Sequence, residues 1–175
     1  MEGKELNKVL KARAIEHGLC DKWQDEWDMH STRQELIDKF LSGIHFCIEH
    51  DYPRLEFVKA HFPTPQLHEN GIYVDEAFEC GGAERSKTIV AMGKSNGRLR
   101  LTGYGTWSVY VLHESCADIQ ATGGARVFVE CWGDSRLSIY ADEESKAFVY
   151  WHGGSISADG NVIVRDKRNE NVNKS

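Results

Sequence analysis

Residues 85 to 154 divide into seven consecutive ten-residue blocks, whose fifth positions are Ile89, Leu99, Val109, Ile119, Val129, Ile139 and Val149. A fixed period means a stack of like units, so it constrains the fold more than any other feature of the chain. Within each block, positions 3, 5 and 7 are apolar or small while 4, 6 and 8 are mostly polar or aromatic, the alternation of a strand with one buried face. Position 9 is Gly93, Gly103, Gly123, Gly133 or Gly153 in five of the seven blocks. Glycine there permits the positive φ of a tight turn. Position 1 is small after the first block (Ser95, Gly105, Ser115, Ala125, Ser135, Ser145), which suits a corner where backbones lie close.

Ten residues per strand and turn fits either an antiparallel meander closing into a sandwich or a flattened solenoid with two strands per coil. A second period favours the solenoid. Blocks starting at 105, 125 and 145 carry Val109, Val129 and Val149 at position 5, and those at 115 and 135 carry Ile119 and Ile139. Position 7 alternates likewise, with Val111, Cys131 and Trp151 against Ala121 and Ala141. A coil of about twenty residues with two unlike faces produces this superperiod, because every second strand stacks on its own equivalent. The expected fold is therefore mainly β with an α-helical N-terminal segment: a short β-solenoid, with the meander or sandwich as the alternative.

The outward positions differ between the two faces. The Val-bearing strands hold Tyr110, Leu112, Phe128, Trp132, Phe148 and Tyr150, and the Ile-bearing strands hold Asp118, Gln120, Thr122, Ser138, Tyr140 and Asp142. Six large groups left in water would exceed the apolar patch a soluble monomer ordinarily exposes. Three coverings follow: the helical segment as an intramolecular lid, self-association through the face, or a ligand such as a sugar or nucleobase stacked on the rings. These six residues are the candidate partner or ligand face.

Ahead of the repeat, Leu6, Val9, Leu10 and Ala14 have helical spacing with Gly18 as a stop, and a short helix is expected near 21–28. Thr32 and Glu35 have capping-box spacing before a stripe of Leu36, Ile37, Phe40, Leu41, Ile44, Cys47 and Ile48, which predicts one helix over 33–50. Pro53 suits the first turn of another helix carrying Leu55, Val58 and Phe62. The organisation expected is a helical segment at 1–62, a linker at 63–70, the β array at 71–164 and a polar, disordered tail at 165–175.

A formal charge of −6, with no Lys/Arg cluster, argues against a nucleic-acid partner. No secretory or membrane-spanning apolar run is present, so a cytoplasmic protein with no membrane contact is expected. Cys20, Cys47, Cys80, Cys116 and Cys131 are odd in number and contain no C-x-x-C, which suits reduced thiols. His45 and Glu49 share a helix face, yet no second ligand pair accompanies them, so no metal is expected. No G-x-S-x-G, P-loop, H-E-x-x-H or dinucleotide fingerprint occurs, so no catalytic residue and no cofactor is assigned. Cys131 reads as a buried small group and not a nucleophile.

The stretch FLSGIHFCIEHDYPRLEFVKAHF at 40–62, GIYVDE at 71–76 and the V-x-V and I-x-A blocks together resemble uncharacterised repeat proteins of gut Bacteroides-type bacteria and their phages or mobile elements. That resemblance covers most of the chain and implies a helical N-terminus joined to a β-repeat array, with no assigned activity and no functional residue to carry over. In coil length alone the array also resembles bacterial polymer-forming β-helix proteins. The function expected is a non-enzymatic protein-interaction or scaffold module, with a ligand-binding module as the alternative and an enzyme of unrecognised site third.

Overall fold

The computed structural model describes residues 3–81 and 87–170. It divides into two compact units, residues 1–67 and 68–175. The first unit contains α1 (Lys4–Glu16), α2 (Asp21–Asp25), α3 (Arg33–Ser42), α4 (Ile44–Glu49) and α5 (Leu55–His61), and α6 (Thr64–Glu69) runs across the boundary. Leu6, Leu10 and Ala14 are buried as the spacing predicts, but the fourth buried position of α1 is Asn7, not Val9. Asn7 is 0% exposed. Its amide donates to Ser31 O (2.7 Å) and its Oδ1 accepts from Trp27 Nε1 (3.1 Å), so the buried polar group is matched on both sides.

Gly18 ends α1 with φ 86°. The capping box at Thr32 and Glu35 is present and opens α3. The single helix expected over 33–50 is two, because Gly43 leaves the helical region (φ −106°, ψ 26°) between α3 and α4. Pro53 follows a cis peptide and precedes α5 instead of opening it. Residues 63–70, expected as a linker, hold α6, with Pro65 in its first turn where a missing N–H costs nothing.

The second unit is a parallel β-solenoid. Its strands are β1 (Ile72–Val74), β2 (Ala77–Gly81), β3 (Thr88–Met92), β4 (Asn96–Thr102), β5 (Thr106–Val111), β6 (Cys116–Thr122), β7 (Arg126–Cys131), β8 (Arg136–Ala141), β9 (Lys146–Trp151), β10 (Ser155–Gly160) and β11 (Val162–Asp166). Odd-numbered strands form a six-stranded sheet in chain order, and even-numbered strands form a five-stranded sheet. All the pairings are parallel, which excludes the meander. The coil repeats at twenty residues: Val109 is opposite Val129 and Val129 opposite Val149, while Leu99, Ile119 and Ile139 align in the other sheet. These side chains point between the sheets and are essentially fully buried, each contributing roughly 1.5–3 kcal/mol.

The array runs one coil further in each direction than the seven blocks, through β1 and β2 before them and β10 and β11 after. Arg85 and Ser86 of the first block lie outside the described residues. Of the expected tail, 165 and 166 belong to β11, and 171–175 lie outside the described residues.

The corners explain the small residues. Asp75, Gly93, His113 and Gly133 stack at one corner with φ of 54°, 70°, 59° and 69°. A Cβ at Gly133 would lie 3.0 Å from His113 O. At the last turn the positive φ falls on Gly154 (76°) and not on Gly153. The four position-1 serines are buried, and three of them bind backbone: Ser95 Oγ donates to Met92 O (2.8 Å), Ser115 Oγ donates to Gly93 O (3.1 Å), and Ser145 Oγ accepts from the N–H groups of Gly124 (3.1 Å) and Ala125 (3.0 Å). Ser145→Ala strands two buried N–H groups and is expected to lower stability by about 1–3 kcal/mol. Urea unfolding followed by tryptophan fluorescence measures this; an unchanged midpoint would show that the hydroxyl carries no such share.

Candidate functional site

The outer face of the six-stranded sheet gathers the residues singled out from the repeat. One row across the strands runs Thr88, Ser108, Phe128, Phe148 and Ile163; the next runs Tyr110, Glu130, Tyr150 and Arg165. Strand spacing brings the Phe128 and Phe148 rings to 5.3 Å with planes 10° apart. Phe128 is 37% exposed, while Phe148, Tyr110, Tyr150 and Trp132 are half-buried. Leu112 does not belong with them: it is 5% exposed and offers nothing to a partner.

Sequence reasoning left out the polar half of this surface. His152 stacks on Trp132 with centroids 3.7 Å apart and planes 7° apart. Trp132 Nε1 donates to Glu130 Oε2 (3.1 Å), and His152 Nε2 lies 3.9 Å from the same oxygen. Burial, and then the Glu130 charge, push the Tyr110 phenol above its ordinary range. The neighbouring cations lie over rings: Lys146 Nζ is 5.4 Å from the Phe148 centroid, and the Arg165 guanidinium is 5.7 Å from Tyr150 and 6.0 Å from Phe148. Arg126 is directly across the ladder from Lys146. The face is therefore an aromatic platform with a basic margin on a chain that is acidic as a whole. The signal that could have found these groups is the twenty-residue spacing itself, which pairs Trp132 with His152 and Arg126 with Lys146.

The opposite outer face, on the five-stranded sheet, is polar. Arg98 pairs with Glu79 at 3.3 Å, and Asp118 and Ser138 continue that row. Asp142 Oδ2 accepts from Gly123 N (2.9 Å), a turn contact that holds its carboxyl below the usual range. Cys131 points into the core, on the other side of β7 from Glu130 and Trp132, so its thiol does not meet His152. His45 and Glu49 are both exposed on α4, and among the described residues no three His, Cys, Asp or Glu side chains are grouped to hold a metal.

No helix among the described residues is long and apolar enough to cross a membrane. No family model, curated protein or solved structure matches the chain.

Burial pushes the Cys47 and Cys131 thiols up to about 12, whereas Cys20 is exposed. These two of the buried thiols therefore stay protonated through mildly alkaline pH and do not react, because only the thiolate is nucleophilic. A disulfide-exchange reagent at mildly alkaline pH should label Cys20 at once, and Cys47 and Cys131 only after denaturant is added. Labelling of Cys131 in the folded protein would show that the coil opens there.

Proposed function

We propose that this chain is a non-enzymatic protein-binding module that works through the outer face of the six-stranded sheet, as an accessory protein of a bacterium, phage or mobile element. The observation that carries the reading is the exposed Phe128 ring in continuous stacking with Phe148, flanked by Tyr150, Trp132, Lys146 and Arg165. Aromatic anchors with arginine at their margin are the composition of protein-binding centres, where a few rigid rings carry most of the energy. Rings fixed on strands have little side-chain freedom left to lose on binding. The basic margin favours a partner segment with apolar groups flanked by carboxylates.

A second reading rests on Ser108. This small side chain is next to Phe128 on the adjacent strand, on the side away from Phe148, and so favours a planar sugar or nucleobase stacked on the ring. A photo-crosslinking phenylalanine analogue at position 128, in cells that naturally express the protein, distinguishes the two. The expected result is one discrete protein adduct at 128 and none with the same analogue at Ser138 on the polar face. Adducts at both positions, or at neither, would refute the protein-binding reading. Saturable protection of position 128 by a sugar or nucleoside would move the assignment to the ligand.

A further inference from the structure

The two ends of the solenoid are finished differently. In the first coil, Tyr73 and Phe78 both point into the core, with rings 3.8 Å apart and parallel within 1°. Phe78 fills the space that a Cβ on Gly97 would occupy, so the core is closed there by aromatic rings. In the last coil the inward positions are Ile156 and Ala158 on β10 and Val162 and Val164 on β11. Val164 is 41% exposed, whereas Val149, one coil earlier in the same column, is 0% exposed. Among the described residues, cover lies at one corner, where Arg168 sits 3.5 Å over the Trp151 ring and is held by Asp166 at 2.6 and 3.0 Å.

The backbone at this end has a definite polarity. Ser155 N donates to Ser135 O, Asn161 N to Ala141 O and Lys167 N to Trp151 O, while Asn161 O accepts from Ala147 N. In a parallel ladder the N–H and C=O of one residue point to the same side, and successive residues alternate. The odd-numbered residues of β10 and β11 therefore bond inward to β8 and β9. Ile156, Ala158, Val162 and Val164 turn their N–H and C=O groups to the outer edge; the Gly160 N–H is taken by Asp159 Oδ1 at 2.8 Å.

We propose that this end is a self-association surface, on which two copies meet last coil to last coil about a two-fold axis perpendicular to the solenoid. Either orientation of that axis, through the sheets or along the strands, brings β10 and β11 antiparallel to strands of the partner. Each free edge then finds a ladder, and the exposed core finds an identical core. The charges suit this pairing: residues 155–170 carry three acidic and three basic side chains, on a chain of net charge −6. Head-to-tail stacking is disfavoured because β1 offers three residues and the first coil is plugged by Tyr73 and Phe78.

The area sets the strength. Strands about 20 Å long in sheets about 10 Å apart present on the order of 400 Å² per copy, below what tight complexes bury. The pair should therefore be weak and concentration-dependent, with a Kd in the micromolar range.

Sedimentation velocity on the full chain from about 1 to about 300 μM should show monomer passing to dimer and no further. Over the same range, hydrogen exchange at the amides of Ile156, Ala158, Val162 and Val164 should slow about fivefold or more. The double variant Ala158→Pro, Val164→Pro removes only N–H groups that point outward, so it should keep the circular dichroism of the wild type and stay monomeric. Phe128→Ser with Phe148→Ser should dimerise as the wild type does, which separates this surface from the proposed binding face. A monomer at the highest concentration, growth beyond dimer, or a dimer that leaves those four amides unprotected would each overturn the proposal. So would loss of the dimer in the Phe128/Phe148 variant.

Discussion

Everything in the β unit depends on one constraint: each strand stacks in register on the strand twenty residues away. A residue must therefore pack against a copy of its own position, above and below, in a column. Val109, Val129 and Val149 meet this requirement because branched side chains of equal volume interlock at the strand spacing without voids. The position-1 corner column meets it with serine, glycine and alanine from Ser95 to Ser145, small groups that suit backbones lying close. The same spacing stacks Phe128 on Phe148 and Trp132 on His152 outside the core. The candidate face and the core are thus two sides of one ladder.

A ladder also has ends, and interior coils satisfy their backbone groups only by having neighbours. Strand edges left open invite pairing with other chains, which is why repeat arrays need capping units. Here the first coil is closed by side chains, Tyr73 on Phe78 with room made by Gly97. Among the described residues the last coil has a partial cap, the Trp151, Arg168 and Asp166 cluster at one corner, while Val164 in the core column stays 41% exposed. The molecule consequently presents two surfaces of unlike chemistry, one of rings and cations on the outer face and one of backbone and small apolar groups at the end.

Much of the fold could be read from the repeat because period and alternation report directly on which side chains enter the core. The missing coils show where such reading stops. Residues 72–81 and 155–166 depart from the spacing of the blocks: Asp75 stands at the position-1 place of the first, the glycine of the second falls at Gly160 and not three residues later, and β10 passes to β11 through Asn161 alone. In the helical unit, Asn7 occupies a core position that apolar periodicity assigns elsewhere, because its partners Trp27 and Ser31 are distant in sequence. The stripe from Leu36 to Ile48 suggested one helix, and a single glycine at 43 was enough to divide it. On the face, alternation correctly sent Phe128 and Phe148 outward. It was silent on His152, Lys146 and Arg165, whose meaning comes from the rings beside them.

By itself the sequence determined the strand length, the coil size and the sidedness of each residue, because these follow from local backbone geometry and from the columns that a repeat forces. Only the tertiary structure decided which outward groups are accessible. Leu112 and Phe128 are equally apolar and equally outward by alternation, yet one is buried and the other exposed. The tertiary structure likewise decided that one end of the core is closed and the other open. Exposure depends on what neighbouring coils place alongside a residue, and that neighbourhood exists only once the ladder is built.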